Sequence, residues 1–299
     1  MKKWLIILCM LFLLVGCKPS EKLSIMVPQG SPAMTILGLD EDDYAIDIVN
    51  GPDPLVAAFG SMSHDAIIAP TNLGAKLYQS KEDYVLAGTV VWGNYHIIST
   101  SFVSNSLSQL TDQTIIVFGQ NQTSDIIMKH LLAQYHVNAT ITYVDSVQTA
   151  LSEYMLDHTK IVMVAEPSLS KVKALVPETT SIDLQTLYAD LHDGASYPQA
   201  SIFVKKDLSD QRVNHLMDDL RSSINLVNDK SHDLLTKGIT LGILDDILIL
   251  EDAIEGSHLM FQTAQEAKSS IEDYFSVILE LNSKLIGDAL PNDSFYWSD

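Results

Sequence analysis

Residues 23–33 read LSIMVPQGSPA, and this stretch decides the fold class. Its first five residues form a short apolar run of the kind that a buried β-strand needs. Proline and glycine at positions 28 and 30 end the strand. Ser31 and Pro32 then predict the start of a helix, with the serine hydroxyl as its N-cap. A buried strand that leads straight into a helix is the repeating unit of an α/β protein.

The same strand-to-helix unit recurs along the chain. Stretches with helical spacing of apolar residues include 125–135 and 147–156. Short buried strands that alternate with such helices predict mostly parallel sheets with helices on their faces. Further strands are predicted at residues 45–49, 65–69, 114–118, 140–144, 161–165 and 200–204.

The pattern changes at two places. Two strand-like runs, 84–92 and 95–100, flank Gly93-Asn94 and predict an antiparallel pair. After residue 207 every segment has helical character, and a helical tail of this length must cover a sheet that already exists.

A two-lobed α/β fold with two chain crossings explains this order better than two consecutive domains. The helical tail then packs on lobe one, because the chain returns to that lobe before the tail begins. The predicted boundaries are residues 22–98 and 201–299 for lobe one and residues 99–200 for lobe two.

The first residues of the chain indicate export. Lys2 and Lys3 precede an apolar run, residues 4–14, that is too short to span a bilayer. The run ends in Leu14-Val15-Gly16-Cys17, which resembles the lipobox of bacterial lipoproteins. That resemblance implies a signal peptide at 1–16, a lipid on Cys17, an anchor and linker at 17–21, and an extracytoplasmic protein held at the cell membrane. The alternative is an ordinary signal peptide with a chance cysteine.

Charge and missing motifs exclude several functions. The net charge of −20 argues against binding nucleic acid or anionic lipid. The chain has no Gly-x-Ser-x-Gly, no phosphate loop and no Gly-x-Gly-x-x-Gly, and its nine histidines form no zinc-binding pair at helical spacing. We therefore expect a monomeric protein that is not an enzyme and that needs no cofactor or metal.

Six short pieces resemble the type II periplasmic-binding-protein fold. They are most similar to the branch that binds nitrate, sulfonates, taurine and thiamine-type pyrimidines. In that family two lobes close on a small ligand, and the protein delivers it to an ABC permease and its ATPase. The resemblance therefore implies the same architecture and partners here. The pieces are residues 27–33, 65–72, 107–119, 165–167, 197–201 and 286–297.

Loops at the carboxyl ends of parallel strands surround the crevice where α/β sheets bind ligands. Several of these loops lead into helix starts, where free backbone N–H groups stabilise electron-rich atoms. The predicted ligand-binding residues are Gln29, Gly30, Ser31, Pro70, Thr71, Asn72, Asn94, Tyr95, Gly119, Gln120, Asn121, Thr123, Ser124, Glu166 and Tyr197.

Arginine usage narrows the ligand class. Arg212 and Arg221 are the only arginines, and both follow the predicted cleft loops in a helix after residue 207. An amino-acid ligand, whose carboxylate commonly needs an arginine fork, is therefore not expected. Two ligand classes stay open: a neutral or aromatic heterocycle, and an anion such as a sulfonate or nitrate held by helix ends. The alternative functions are a cofactor-biosynthesis enzyme of the same fold and a surface lipoprotein that binds no small molecule.

Overall fold

The computed structural model describes residues 22–243 and 247–298. The predicted signal peptide, the lipid site at Cys17 and the linker through residue 21 lie outside the described residues. Within the described ranges, no helix is both long enough and apolar enough to cross a membrane.

Eleven strands form two sheets in the described part of the chain. The larger sheet has the order β11-β4-β10-β3-β1-β2 and the smaller has the order β7-β6-β8-β5-β9. The strands are β1 (Leu23–Pro28), β2 (Tyr44–Val49), β3 (Ala66–Pro70), β4 (Tyr84–Trp92), β5 (Tyr95–Ser99), β6 (Thr114–Phe118), β7 (Thr140–Val144), β8 (Ile161–Ala165), β9 (Thr180–Asp183), β10 (Pro198–Lys205) and β11 (Leu259–Thr263).

Helices separate most of these strands and cover the sheets. They are α1 (Ser31–Met34), α2 (Asp53–Ser61), α3 (Thr71–Lys81), α4 (Thr123–Gln134), α5 (Val147–Leu156), α6 (Ser168–Leu175), α7 (Leu184–Leu191), α8 (Asp210–Asn228), α9 (His232–Thr240), α10 (Ile247–Gly256) and α11 (Ala264–Asn282). The strands β1, β2 and β3 pair in parallel, as do β6, β7 and β8, so each sheet contains the repeating unit that the sequence predicts.

The predicted antiparallel pairing of residues 84–92 with 95–100 is wrong. β4 and β5 lie in different sheets: β4 pairs with β10 and β11, and β5 pairs with β8 and β9. Gly93-Asn94 is therefore a crossing between lobes and not a hairpin turn. A side chain on residue 93 would not fit, since its Cβ would lie 2.1 Å from the Gln185 Oε1 atom.

The two crossings lie slightly before the predicted lobe boundaries at residues 98 and 201. The chain leaves the larger sheet after β4, and β5 already belongs to the smaller sheet. It returns between the end of α7 and the start of β10. The larger sheet thus defines lobe one and the smaller sheet lobe two.

The tail after residue 207 contains a strand, which corrects the prediction that it is wholly helical. β11 pairs antiparallel with β4 at the edge of the larger sheet. Leu259 and Phe261 are buried there, whereas Met260 between them is 45% exposed. That alternation is typical of a strand with one covered face. The helices α8 and α11 pack on the same sheet, so the tail does cover lobe one as expected.

We expect the substitution Gly74→Ala to destabilise lobe one. Gly74 lies within α3, and a Cβ there would fall 2.0–2.5 Å from ring atoms of the fully buried Phe203. Overpacking of this kind lowers the free energy of unfolding by about 1–3 kcal/mol. Urea unfolding measures the change. Gly60→Ala in α2 is the matched control, because a Cβ at position 60 meets nothing within 4 Å and should stabilise by about 0.5–1 kcal/mol. Equal stability of the two variants would contradict the expected clash.

Candidate functional site

A cavity of about 420 Å³ lies between the two lobes. Most of its wall comes from residues at the carboxyl ends of strands β1, β3, β6 and β8, where α/β sheets bind ligands. Helix α5, the starts of β5 and β10, and the tail contribute the rest. The lining residues are Pro28, Gln29, Gly30, Ser31, Pro32, Pro70, Tyr95, Phe118, Val147, Gln148, Leu151, Ala165, Glu166, Pro167, Ser168, Lys171, Gln199, Ala200, Gly242, Ile243 and Ala253.

The structure divides the predicted site residues into two groups. Gln29, Gly30, Ser31, Pro70, Tyr95 and Glu166 line the cavity. The others surround it without reaching its wall: Thr71, Asn72, Asn94, Gly119, Gln120, Asn121, Thr123, Ser124 and Tyr197.

The loop before α4 illustrates why some predicted residues lie outside the wall. Its polar groups bind within the protein: the Asn121 N–H donates to the Asp125 carboxylate at 2.9 Å, and the Ser124 hydroxyl donates to the Phe118 carbonyl at 2.6 Å. The Thr123 hydroxyl reaches across to lobe one and donates to the Asn72 side-chain oxygen at 3.3 Å. This helix start therefore joins the lobes.

Ser31 occupies the junction between the lobes. Its hydroxyl donates to the Glu166 main-chain carbonyl at 3.0 Å and accepts from the Asn94 side-chain amide at 2.9 Å. The Ser257 hydroxyl lies 3.0 Å away on the tail. The predicted N-cap role of Ser31 is wrong, because Gly30 holds the cap position with a φ of 98° and Ser31 is the first helical residue. The Ser31 hydroxyl makes no cap bond to its own helix and hydrogen-bonds to lobe two instead.

Glu166 places a buried carboxyl group beside the cavity. Its two oxygens accept from the Ser170 N–H at 3.1 Å and the Ser170 hydroxyl at 3.0 Å. Burial raises the pKa of this carboxyl from 4.5 to about 7 despite those bonds and the nearby Lys173. Gly256 at the end of α10 leaves the space that the carboxyl fills, since a Cβ there would lie 2.6 Å from the Glu166 Oε1 atom.

Tyr95 lines the cavity, and neighbouring rings hold its aromatic ring in place. Tyr197 stacks on it with ring centres 6.0 Å apart, and the Phe118 ring meets it edge-on at 5.9 Å. The residue is only 6% exposed, and its main-chain N–H donates to the Tyr197 hydroxyl at 3.3 Å. Burial raises the pKa of the Tyr95 hydroxyl, so it stays a neutral donor at physiological pH.

Sequence reasoning missed three parts of the wall: the starts of α5 and α6, Gln199 and Ala200 in β10, and the tail. Val147 and Gln148 start α5 after β7, and Ser168 starts α6 after β8, so the rule about carboxyl ends of strands could have found them. No sequence pattern pointed to the three tail residues, because only the packing of the tail brings them to the cavity. They are Gly242, Ile243 and Ala253.

Comparison with known families and curated proteins gives one match. Residues 67–278 match a family model described as menaquinone biosynthesis (VitK2_biosynth). No curated protein sequence matches the chain.

Solved structures match over nearly the whole chain. An ABC transporter protein from Parabacteroides distasonis superposes with a TM-score of 0.80 at 18% identity. The match covers 93% of this chain and 99% of the Parabacteroides chain. The periplasmic aliphatic sulphonate binding protein SsuA from Escherichia coli gives 0.70 at 12% identity, covering 93% and 92%. The ligand-binding component of an ABC-type import system from Staphylococcus aureus, solved with zinc bound, gives 0.66 at 11% identity, covering 92% and 98%. These matches confirm the predicted type II periplasmic-binding-protein fold.

We expect the substitution Glu166→Gln to change how stability depends on pH. The Glu166 carboxyl has a pKa of 4.5 in the unfolded chain and about 7 in the folded protein. Between these pH values the folded protein binds more protons than the unfolded chain. The free energy of unfolding of the wild type therefore falls as the pH rises from about 4.5 to 7. The loss amounts to about 3 kcal/mol. Glutamine is neutral at every pH, so the variant should be as stable as wild type near pH 4 and more stable near pH 8.

Urea unfolding across this pH range tests the expectation. Glu255→Gln is the control, because Glu255 is exposed and pairs with Lys230 at 2.8 Å, an interaction that lowers the pKa of Glu255. That control should gain no stability at high pH. A constant difference between Glu166→Gln and wild type at all pH values would contradict the raised pKa.

Proposed function

The chain belongs to the menaquinone biosynthesis family. From its two-lobed fold, which it shares with binding proteins of ABC importers, we propose that it is a lipid-anchored extracytoplasmic solute-binding protein of an ABC importer. One observation carries the proposal: a single cavity of about 420 Å³ takes its wall from both lobes. A volume of this size suits a small organic ligand. A ligand there would contact both lobes together only when they close, so its binding free energy would favour the closed state.

The contacts between the lobes support reversible closure. The junction at Ser31 and the bond from Thr123 to Asn72 join uncharged groups, and each such hydrogen bond adds only about 1 kcal/mol of stability. The imidazole of His192 also lies 2.7 Å from the Asp273 carboxylate on α11. These polar contacts contribute modestly to the closed state, in which buried apolar residues of both lobes also belong to one core cluster.

One structural observation supports the alternative function, an enzyme of the same fold. The carboxyl of Glu166 lines the cavity with a pKa of about 7, and such a group can act as a general acid or base near neutral pH. The family description also names a biosynthetic pathway. Both oxygens of Glu166, however, already accept hydrogen bonds from Ser170, which favours a structural role for the carboxyl.

Native mass spectrometry of the purified protein tests the proposal directly, by revealing a bound small molecule. With that molecule as ligand, Ser31→Ala should weaken affinity by about tenfold, because two buried partners in the closed state lose their hydrogen bond. Calorimetry measures the change, and Ser104→Ala on an exposed loop is the control. Unchanged affinity in Ser31→Ala would contradict closure through this junction. Conversion of the ligand to a product of different mass would favour the enzyme.

We expect Cys17 to carry the lipid anchor. The substitution Cys17→Ala should move the protein from the membrane and detergent fraction to the aqueous fraction, because the residue that is acylated is gone. Detergent phase partitioning of cells that express each form measures this. Ser20→Ala, also in the linker, should leave the protein in the detergent phase. Retention of Cys17→Ala in that phase would contradict the lipobox.

A further inference from the structure

We propose that the Glu166 carboxyl takes up a proton when the two lobes close, so that acidic pH favours the closed form of the protein. The inference rests on the proposed function, since it assumes that the lobes separate and close around a ligand. It adds a control of that motion by pH.

Glu166 belongs to lobe two, but groups of lobe one cover it. Its carboxyl oxygens accept from the N–H and the hydroxyl of Ser170, which lies on α6 of the same lobe. From lobe one, the Ser31 hydroxyl donates to the Glu166 main-chain carbonyl at 3.0 Å, and Gly256 of the tail packs against the carboxyl. The residue is therefore only 6% exposed. Separation of the lobes would keep the bonds to Ser170 and return water to the carboxyl.

The main chain of the tail itself contacts the carboxyl. A Cβ on Gly256 would lie 2.6 Å from the Glu166 Oε1 atom and 3.1 Å from its Cδ atom. Helix α10, which ends at Gly256, packs along α6 on one side and against α8 and α9 on the other. Because α8 packs on the larger sheet, α10 would move away from Glu166 together with lobe one.

Two helix ends act on the carboxyl with opposite sign. Ser170 is the third residue of α6, so the carboxyl lies at a helix start, where a negative charge is favourable. Gly256 is the last residue of α10, where carbonyl groups without helical partners give the helix end a partial negative charge. An ionised carboxylate is thus stabilised by α6 alone and repelled once α10 closes over it. A protonated carboxyl avoids that repulsion.

The charged side chains around Glu166 leave burial as the dominant influence. Burial raises the pKa of the carboxyl to about 7, while Lys173 on α6 lowers it and Asp252 on α10 raises it. Lys171 on α6 lines the same wall but already takes part in another interaction. When water returns in the open form, the pKa falls back toward its ordinary value of 4.5. The closed form therefore binds about one proton more between these pH values, and it gains stability as the pH falls from about 7 to 4.5.

The distance between two spin labels reports closure without any ligand. Asp53 in lobe one and Ser152 in lobe two are both exposed. Each is replaced by p-azidophenylalanine, which is coupled to a nitroxide. Double electron–electron resonance on the full-length protein in detergent then gives the populations of short and long distances at pH 5.5 and pH 8. The ratio of closed to open protein should be about tenfold higher at pH 5.5, because the closed form binds the proton more tightly.

Three variants identify the group that titrates. Glu166→Gln is neutral at every pH and of the same size, so at both pH values it should show the ratio that the wild type has at pH 5.5. Glu255→Gln is the matched control, because Glu255 is exposed and pairs with Lys230 at 2.8 Å, and it should keep the tenfold response. Gly256→Ala should favour the open form at both pH values, since its Cβ would crowd the carboxyl.

The outcomes separate this proposal from its alternatives. A response that the wild type and Glu255→Gln share and that Glu166→Gln lacks supports the proposal. The contact between His192 and Asp273 also crosses the lobes, so an equal response in Glu166→Gln would assign the titration to another group and overturn the proposal. A wild-type ratio that does not change with pH also overturns it, and the bound molecule sought by native mass spectrometry then tests the solute-binding function separately. Cooperative thermal unfolding at pH 5.5 establishes that each labelled variant folds.

Discussion

The hydroxyl of Ser31 connects the two lobes, and the candidate site depends on this junction. One oxygen atom contacts the Glu166 carbonyl of lobe two, the Asn94 amide at the first crossing and the Ser257 hydroxyl of the tail. Ser31 and Glu166 both line the cavity, so this junction connects the wall from lobe one to the wall from lobe two. Because each bond joins neutral groups, the junction fixes how these groups are placed but adds only about 1 kcal/mol of stability per bond.

The same junction explains the electrostatics of the cavity. The carboxyl of Glu166 loses water because the tail packs against it at Gly256, and the lost hydration raises its pKa to about 7. The chain as a whole carries a net charge of −20, yet its cavity presents mainly amides, hydroxyls and apolar rings. Of the described lining residues only Glu166 is acidic, so the excess of negative charge lies on other parts of the chain.

Local patterns in the sequence predicted much of this architecture. The helix expected at residues 147–156 is α5 (Val147–Leu156), and that expected at 125–135 is α4 (Thr123–Gln134). The rule about carboxyl ends of strands placed Gln29, Pro70 and Glu166 on the cavity wall. It also selected Thr123 and Asn72, which bind each other, because the rule identifies an edge of a sheet and not the direction of each side chain.

The sequence alone determined the strand-to-helix repeat, the short apolar strands and the loops at their carboxyl ends, because hydrophobic period and turn chemistry are local properties. Tertiary structure alone decided that β4 and β5 enter different sheets, that β11 completes the larger sheet and that the tail closes the cavity. It also decided the partners of Ser31, which lie 135 and 226 residues away along the chain. Such partners follow from how whole elements pack, and no local spacing of residues encodes that packing.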